Sequence, residues 1–196
     1  MVVLEQYEWS DFWWEEADKN GKRVLLIGDS QTRGLRQFCK NALGEIYVDM
    51  LATSKCVDNP DFMREVKYIV EGNAYDVVCF SHGLHGWHLD DDGYRKACSE
   101  AFQYLKCKIG KVIVENCLPV ALPGGGFVED CERNPIVLRR NDILKNLAAE
   151  NGVEFIDLYS VAYGKPEIRV DDGMHYNDEG YALLGGLLAE KILENI

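Results

Sequence analysis

Two short stretches hold residue types that together can do nucleophilic chemistry. Gly28-Asp29-Ser30 closes an apolar run, and Asp171-Asp172-Gly173-Met174-His175 precedes the last helical pattern of the chain. A serine hydroxyl becomes a nucleophile when a base removes its proton, and the base needs an acid that fixes its tautomer and stabilises the imidazolium. Ser30, His175 and Asp172 are of those types, with Asp172 and His175 three apart in one turn. Each stretch also has a plainer reading. Asp29 and Ser30 are helix-capping types, and a DxxH turn is compatible with a surface histidine. Their joint occurrence, each beside a predicted sheet, favours chemistry over capping.

Three further histidines, His82, His85 and His88, recur at a spacing of three. A helix would put two of them on one face and turn the third away, and Gly83 and Gly86 make the segment a loop. The HExxH and paired Cys/His patterns of zinc sites do not accompany them, so no metal and no cofactor is expected. Trp87 and His88, together with Asp29 beside the serine, are candidate substrate-contacting residues.

Such residues need a frame that brings them together. Arg23 to Ile27 reads as a strand, followed by a turn at Ser30 and a helix with Leu35, Phe38, Cys39 and Ala42 at helical spacing. Further strands are predicted at Glu45–Leu51, Asp76–Ser81, Lys111–Asn116 and Glu154–Asp157. Amphipathic helices separate them, two opening at the N-cap and proline pairs Asn59-Pro60 and Asn134-Pro135. Strands rich in Val, Ile and Leu alternating with helices imply a parallel sheet covered on both faces. The expected fold class is therefore α/β, a three-layer α/β/α sandwich on a five-stranded parallel sheet. Ligands of such sheets bind beyond the carboxyl ends of the strands, where all these candidate residues fall.

Residues 1–196 read as a single domain, with residues 1–22 as an N-terminal helical extension. In that reading Trp9, Phe12, Trp13 and Trp14 pack on the core, although they could instead line an acyl or sugar pocket. Pro123 to Gly126 lacks the Lys-Ser/Thr of a phosphate loop and reads as a mobile rim of the site.

The 33 acidic against 21 basic residues give a net charge of -12. That balance argues against binding nucleic acid or an anionic membrane, since both require cationic surface. Seven cysteines, an odd number without a CxxC pair, suggest reduced thiols and a cytoplasmic location. The acidic first residues do not form a signal peptide, and no apolar run approaches the roughly 20 residues that cross a bilayer.

The chain resembles the SGNH, or GDSL-type, hydrolases over roughly residues 24 to 188. Gly28-Asp29-Ser30 with its preceding strand matches the first block of that family. Asp172-Gly173-Met174-His175 with the following Asn177-Asp178-Glu179-Gly180-Tyr181 run matches the last. The resemblance implies a flavodoxin-like sandwich and an esterase in which Ser30 is nucleophile, His175 base and Asp172 orienting acid. Two middle blocks depart from it. Where the family has Gly-x-Asn-Asp, this chain has Gly83-Leu84-His85-Gly86, so a ring N–H of His85 would replace the asparagine as oxyanion donor. Where the family supplies a glycine N–H after the second strand, Leu51-Ala52-Thr53-Ser54 has none. Ala52 is the expected donor there and Ser54 the alternative, beside the N–H of Ser30 itself. The family spans carbohydrate acetyl esterases, arylesterases, lysophospholipases and thioesterases. Acidic runs at Asp90-Asp91-Asp92 and Asp171-Asp172 favour a small, neutral ester, such as an acetylated sugar, as the partner. Loss of the two middle blocks is also what a non-catalytic binding domain on the same fold would show.

Overall fold

The computed structural model describes residues 2–124 and 126–196. Its parallel sheet is built from β2 (Arg23–Gly28), β3 (Tyr47–Thr53), β4 (Val77–Phe80), β5 (Val112–Glu115) and β6 (Glu154–Ile156). An additional strand, β1 (Ser10–Trp13), pairs antiparallel with β3, and the order across the sheet is β1-β3-β2-β4-β5-β6. The parallel strands thus follow the order second, first, third, fourth, fifth, which places the topological switch point between β2 and β4.

The strands alternate their burial between two layers. Leu25, Ile27 and Leu51 face one apolar cluster, and Val24, Leu26 and Met50 face the other. The first layer is closed by α2 (Pro60–Gly72), α3 (Asp91–Lys108) and α4 (Asn134–Asn151) through Phe62, Phe102 and Leu144. The second is closed by α1 (Ser30–Leu43) and α6 (Asp178–Leu193) through Cys39, Leu188 and Ile192. A short helix, α5 (Leu158–Ala162), joins Tyr181 and Leu184 in a satellite cluster. The three-layer α/β/α sandwich is therefore as expected, with a sixth, antiparallel strand added.

That strand corrects the expected helical extension over residues 1–22. Ser10-Asp11-Phe12-Trp13 is rich in aromatics, which suit a half-covered strand, and β3 offers it an open edge. Phe12 and Trp14 turn inward and meet Tyr68 of α2 edge-on, at 5.6 and 5.7 Å between ring centroids. Trp13 faces outward with the Arg36 guanidinium 4.3 Å over its ring. These aromatics cover the sheet edge and do not gather into one pocket.

A second correction concerns Asn134, expected to cap α4. It is the first helical residue and fully buried. Its side chain accepts from the N–H of Val120 and donates to Glu129 and to the hydroxyl of Tyr159. Arg133 takes the N-cap position without a side-chain cap, and Asp130 closes the turn before it, accepting from the N–H groups of Glu132 and Arg133. Asn134 thereby ties the start of α4 to the long loop after β5.

Candidate active site

The turn after β2 is tight because Gly28 leaves no room for a side chain. A Cβ there would lie 1.9 Å from Thr32 Oγ1 and 2.4 Å from the carbonyl oxygen of Ser81. Asp29 then caps α1, its carboxylate accepting the N–H of Gln31 at 2.9 Å. The capping reading thus holds for Asp29, and Ser30 becomes the first helical residue with its hydroxyl free of that duty. Asp29 is only 3% exposed, so it faces the scaffold and not a substrate, contrary to expectation. Burial pushes its carboxyl up, opposed by the charges of His85 and His175 and by N–H groups of Gln31 and Leu84. Asp29 therefore lies between the start of α1 and the loop after β4.

His175 arrives from the turn before α6. Asp172 Oδ1 accepts the N–H groups of Met174 and His175, each at 2.8 Å, which folds the turn on itself. Its other oxygen, Oδ2, lies 2.5 Å from His175 Nδ1, and His175 Nε2 lies 2.8 Å from Ser30 Oγ. The carboxylate partner assigns the proton to Nδ1, leaving Nε2 to accept from the serine hydroxyl. Burial would raise the Asp172 carboxyl, but hydrogen bonds from the His175 ring and from the His175 and Met174 N–H groups outweigh it. Asp172 is held below the usual carboxylate range and stays ionised. Three residues from opposite ends of the chain thus form one hydrogen-bonded line.

Gln31 fastens this line from behind. Its amide donates to the carbonyl of Met174 at 3.0 Å and accepts the N–H of Leu118 at 3.2 Å. Arg169, 8% exposed, donates to the carbonyls of Pro119 and Gly173 and to the hydroxyl of Tyr176. Neither residue carries a motif signal. Both connect segments far apart in sequence, so only the fold exposes their role. The expected rim at residues 123–126 includes Gly125, which lies outside the described residues. Its neighbour Gly124 donates its N–H to the carbonyl of Asp171.

The second block does not present the expected donor. Ser54 N–H donates to the carbonyl of Trp9 at 3.1 Å. Antiparallel ladders alternate between bonded and unbonded pairs, so the pair two residues on, Ala52 with Asp11, is also a bonded one. Ala52 is fully buried between β1 and β2, and its N–H is spent on the sheet. The departure arises because β1 extends pairing along the strand that the resemblance leaves free.

The histidines of the loop after β4 separate. His82 is buried, packs edge-on against Phe62, and its Nε2 lacks a hydrogen-bond partner among the described residues. Burial pushes its pKa down to about 3, so it is neutral. His85 lies closer to the surface, with its Nδ1 3.6 Å from Glu5 Oε1. His88 turns to Asp58, 3.3 Å from Nε2 to Oδ2. Donor atoms of Cys56, Asp58 and His88 come within 4.8 Å of one another. The buried Cys56 thiol is pushed up to about 12, mainly by desolvation, which favours the protonated form that ligates poorly. Trp87 lines a groove of 460 Å³ with Asp90, Asp91, Asp92 and Arg139, so the Asp90–Asp92 run borders a concave surface. The Arg140 and Arg133 guanidinium groups stand over its ring at 5.3 and 5.8 Å.

No helix among the described residues is long and apolar enough to cross a membrane. No protein-family model and no curated protein sequence matches the chain. Solved structures do. An aryl esterase of M. smegmatis in inhibitor-bound form has a TM-score of 0.73 at 17% identity, covering 90% of this chain and 100% of its own. A GDSL-like lipase from Bacteroides thetaiotaomicron has a TM-score of 0.71 at 18% identity, covering 89% of each chain. A carbohydrate acetylesterase from Sinorhizobium meliloti has a TM-score of 0.70 at 17% identity, covering 90% of this chain and 100% of its own. At such identities the likeness is one of architecture: the chain has the three-layer fold shared by these GDSL-like lipases and esterases.

Proposed function

We propose that the protein is a serine ester hydrolase of the SGNH type. The observation that carries this reading is the continuous line from Asp172 through His175 to Ser30, at 2.5 and 2.8 Å. In the proposed reaction Ser30 Oγ attacks the ester carbonyl while His175 Nε2 takes its proton. The imidazolium, stabilised by Asp172, then protonates the leaving alcohol. Water, activated by the same imidazole, releases the acid and restores Ser30. The oxyanion is bound by the Ser30 N–H, at the positive end of α1, and by a ring N–H of His85. Ala52 and Ser54 are left out of this hole, since both N–H groups are already engaged. The reaction draws on no cofactor.

A small, neutral ester such as an acetylated carbohydrate is the proposed substrate. The net charge of -12 disfavours anionic substrates. A reducing cytoplasm suits its seven free thiols. A fluorophosphonate tests the reading. It is expected to modify Ser30 in the purified protein and to leave Ser30→Ala unmodified, with hydrolysis of nitrophenyl esters lost in that variant and falling from acetyl toward long acyl chains. Full esterase activity in Ser30→Ala would sink the proposal. The engaged N–H groups of Ala52 and Ser54 favour one competing reading, a binding domain that retains the fold without turnover. Absence of labelling at Ser30 would select it.

A further inference from the structure

Arg140 of α4 is 1% exposed, yet its hydrogen bonds go to carbonyl groups and not to a carboxylate. Nη1 donates to the carbonyls of Gly83 and His85, each at 2.8 Å, and Nη2 to the carbonyl of Gly86 at 2.7 Å. All three belong to the loop that carries His85. Tyr94 and Trp87 flank the guanidinium, at 4.8 and 5.3 Å from their ring centroids. A buried cation is costly unless its donors are satisfied, and here one loop satisfies the Arg140 fork. Arginine suits the task because its planar donors reach several acceptors at fixed angles, which an ammonium cannot do.

The opposite side of the loop is held by Glu5. Its Oε1 accepts the N–H of Gly86 at 2.9 Å and stands 3.6 Å from Nδ1 of His85. Arg140 therefore takes the carbonyl side and Glu5 the N–H side of the same few peptides, with the His85 ring leaning on Glu5. We propose that Arg140 and Glu5 are positioning residues that clamp residues 83–86 and fix His85 where it can donate to the oxyanion. The proposal rests on the serine hydrolase reading above. Neither residue touches the reacting atoms; each acts through His85.

The distinguishing experiment is a double-mutant cycle on esterase turnover. Arg140→Lys keeps charge and stem but loses the fork, so kcat is expected to fall about 10- to 100-fold with KM changed less than about threefold, because a displaced donor loses most of its effect. Glu5→Ala, which removes the acceptor for the Gly86 N–H, is expected to lower kcat about three- to tenfold. In a His85→Ala background either substitution should cost less than about threefold further. Equal losses in both backgrounds would show a general structural role and overturn the clamp, as would unchanged kcat in the single variants. Should Arg140→Lys fail to fold, the Glu5→Ala cycle decides, since Glu5 is only partly buried. If Ser30→Ala abolishes activity but His85→Ala does not lower kcat, the clamp fails while the serine mechanism stands. If Ser30→Ala stays active, both fall.

Discussion

The two loops that meet beside Ser30 are built on opposite principles. The turn at residues 171–175 organises itself: Asp172, with nearly half of its side chain exposed, folds its own neighbours by accepting two N–H groups while orienting His175. The loop at residues 82–88 is organised from outside. Tyr94 donates to the carbonyl of His82, Arg140 reaches across from α4 to three carbonyls, and Glu5 arrives from the N-terminal segment. The first loop has a local organiser, with Gln31, Arg169 and residues 121–124 bracing it from outside, whereas the side chains that support the second come from distant segments.

Substitutions can break or sharpen that contrast. Asp172→Asn should be the most damaging, lowering kcat by about 10⁴-fold by favouring the wrong His175 tautomer. It should do so with little loss of thermal stability, since the carboxylate is half-exposed; a steep fall in melting temperature would show that the turn is structural. His85→Ala should cost about 10² to 10³ in kcat with KM nearly unchanged, the size expected for one oxyanion donor. Parallel changes in kcat and KM would instead put His85 in substrate binding.

The smallest effect lies at the end of β5. Glu115 ends β5 at 2% exposure, and burial, assisted by the charge of Asp29, raises its pKa from 4.5 to about 8. Between those values the unfolded chain has lost the proton that the folded chain keeps, so stability falls as pH rises through this window. Glu115→Gln removes the titration. Its melting temperature should gain on the wild type by a few degrees near pH 8, the gain shrinking toward pH 4.5; an offset constant across that range would show that Glu115 does not titrate with folding.

This contrast also explains what could be read in the sequence. The parallel strands, the N-cap and proline at Asn59-Pro60, and the adjacency of Asp172 and His175 are local patterns, and they were legible. The pairing of Ser30 with His175 was legible through strand ends, because a parallel sheet gathers them on one edge. What stayed hidden was set by partners distant in sequence. β1 forms because β3 leaves an edge open, and its pairing consumes the Ala52 and Ser54 N–H groups that the motif alone leaves free. Asn134 has the type and position of a cap, but Val120, Glu129 and Tyr159 claim its side chain. Arg140, Glu5 and Gln31 lack motif signals because their roles are hydrogen bonds to backbone groups, which leave no trace in residue spacing.

Gly173 sits in the left-handed region at φ 79°, and a Cβ there would meet the carbonyl oxygen of Ala121 at 2.1 Å. Its carbonyl accepts the N–H of Ala121, and one step on, Asp171 accepts that of Gly124. The stretch from Ala121 to Gly124 is therefore zipped to the backbone on both sides of Asp172. Displacing that stretch would pull on the backbone on both sides of Asp172, so the placement of this carboxylate against His175 is tied to residues 121–124.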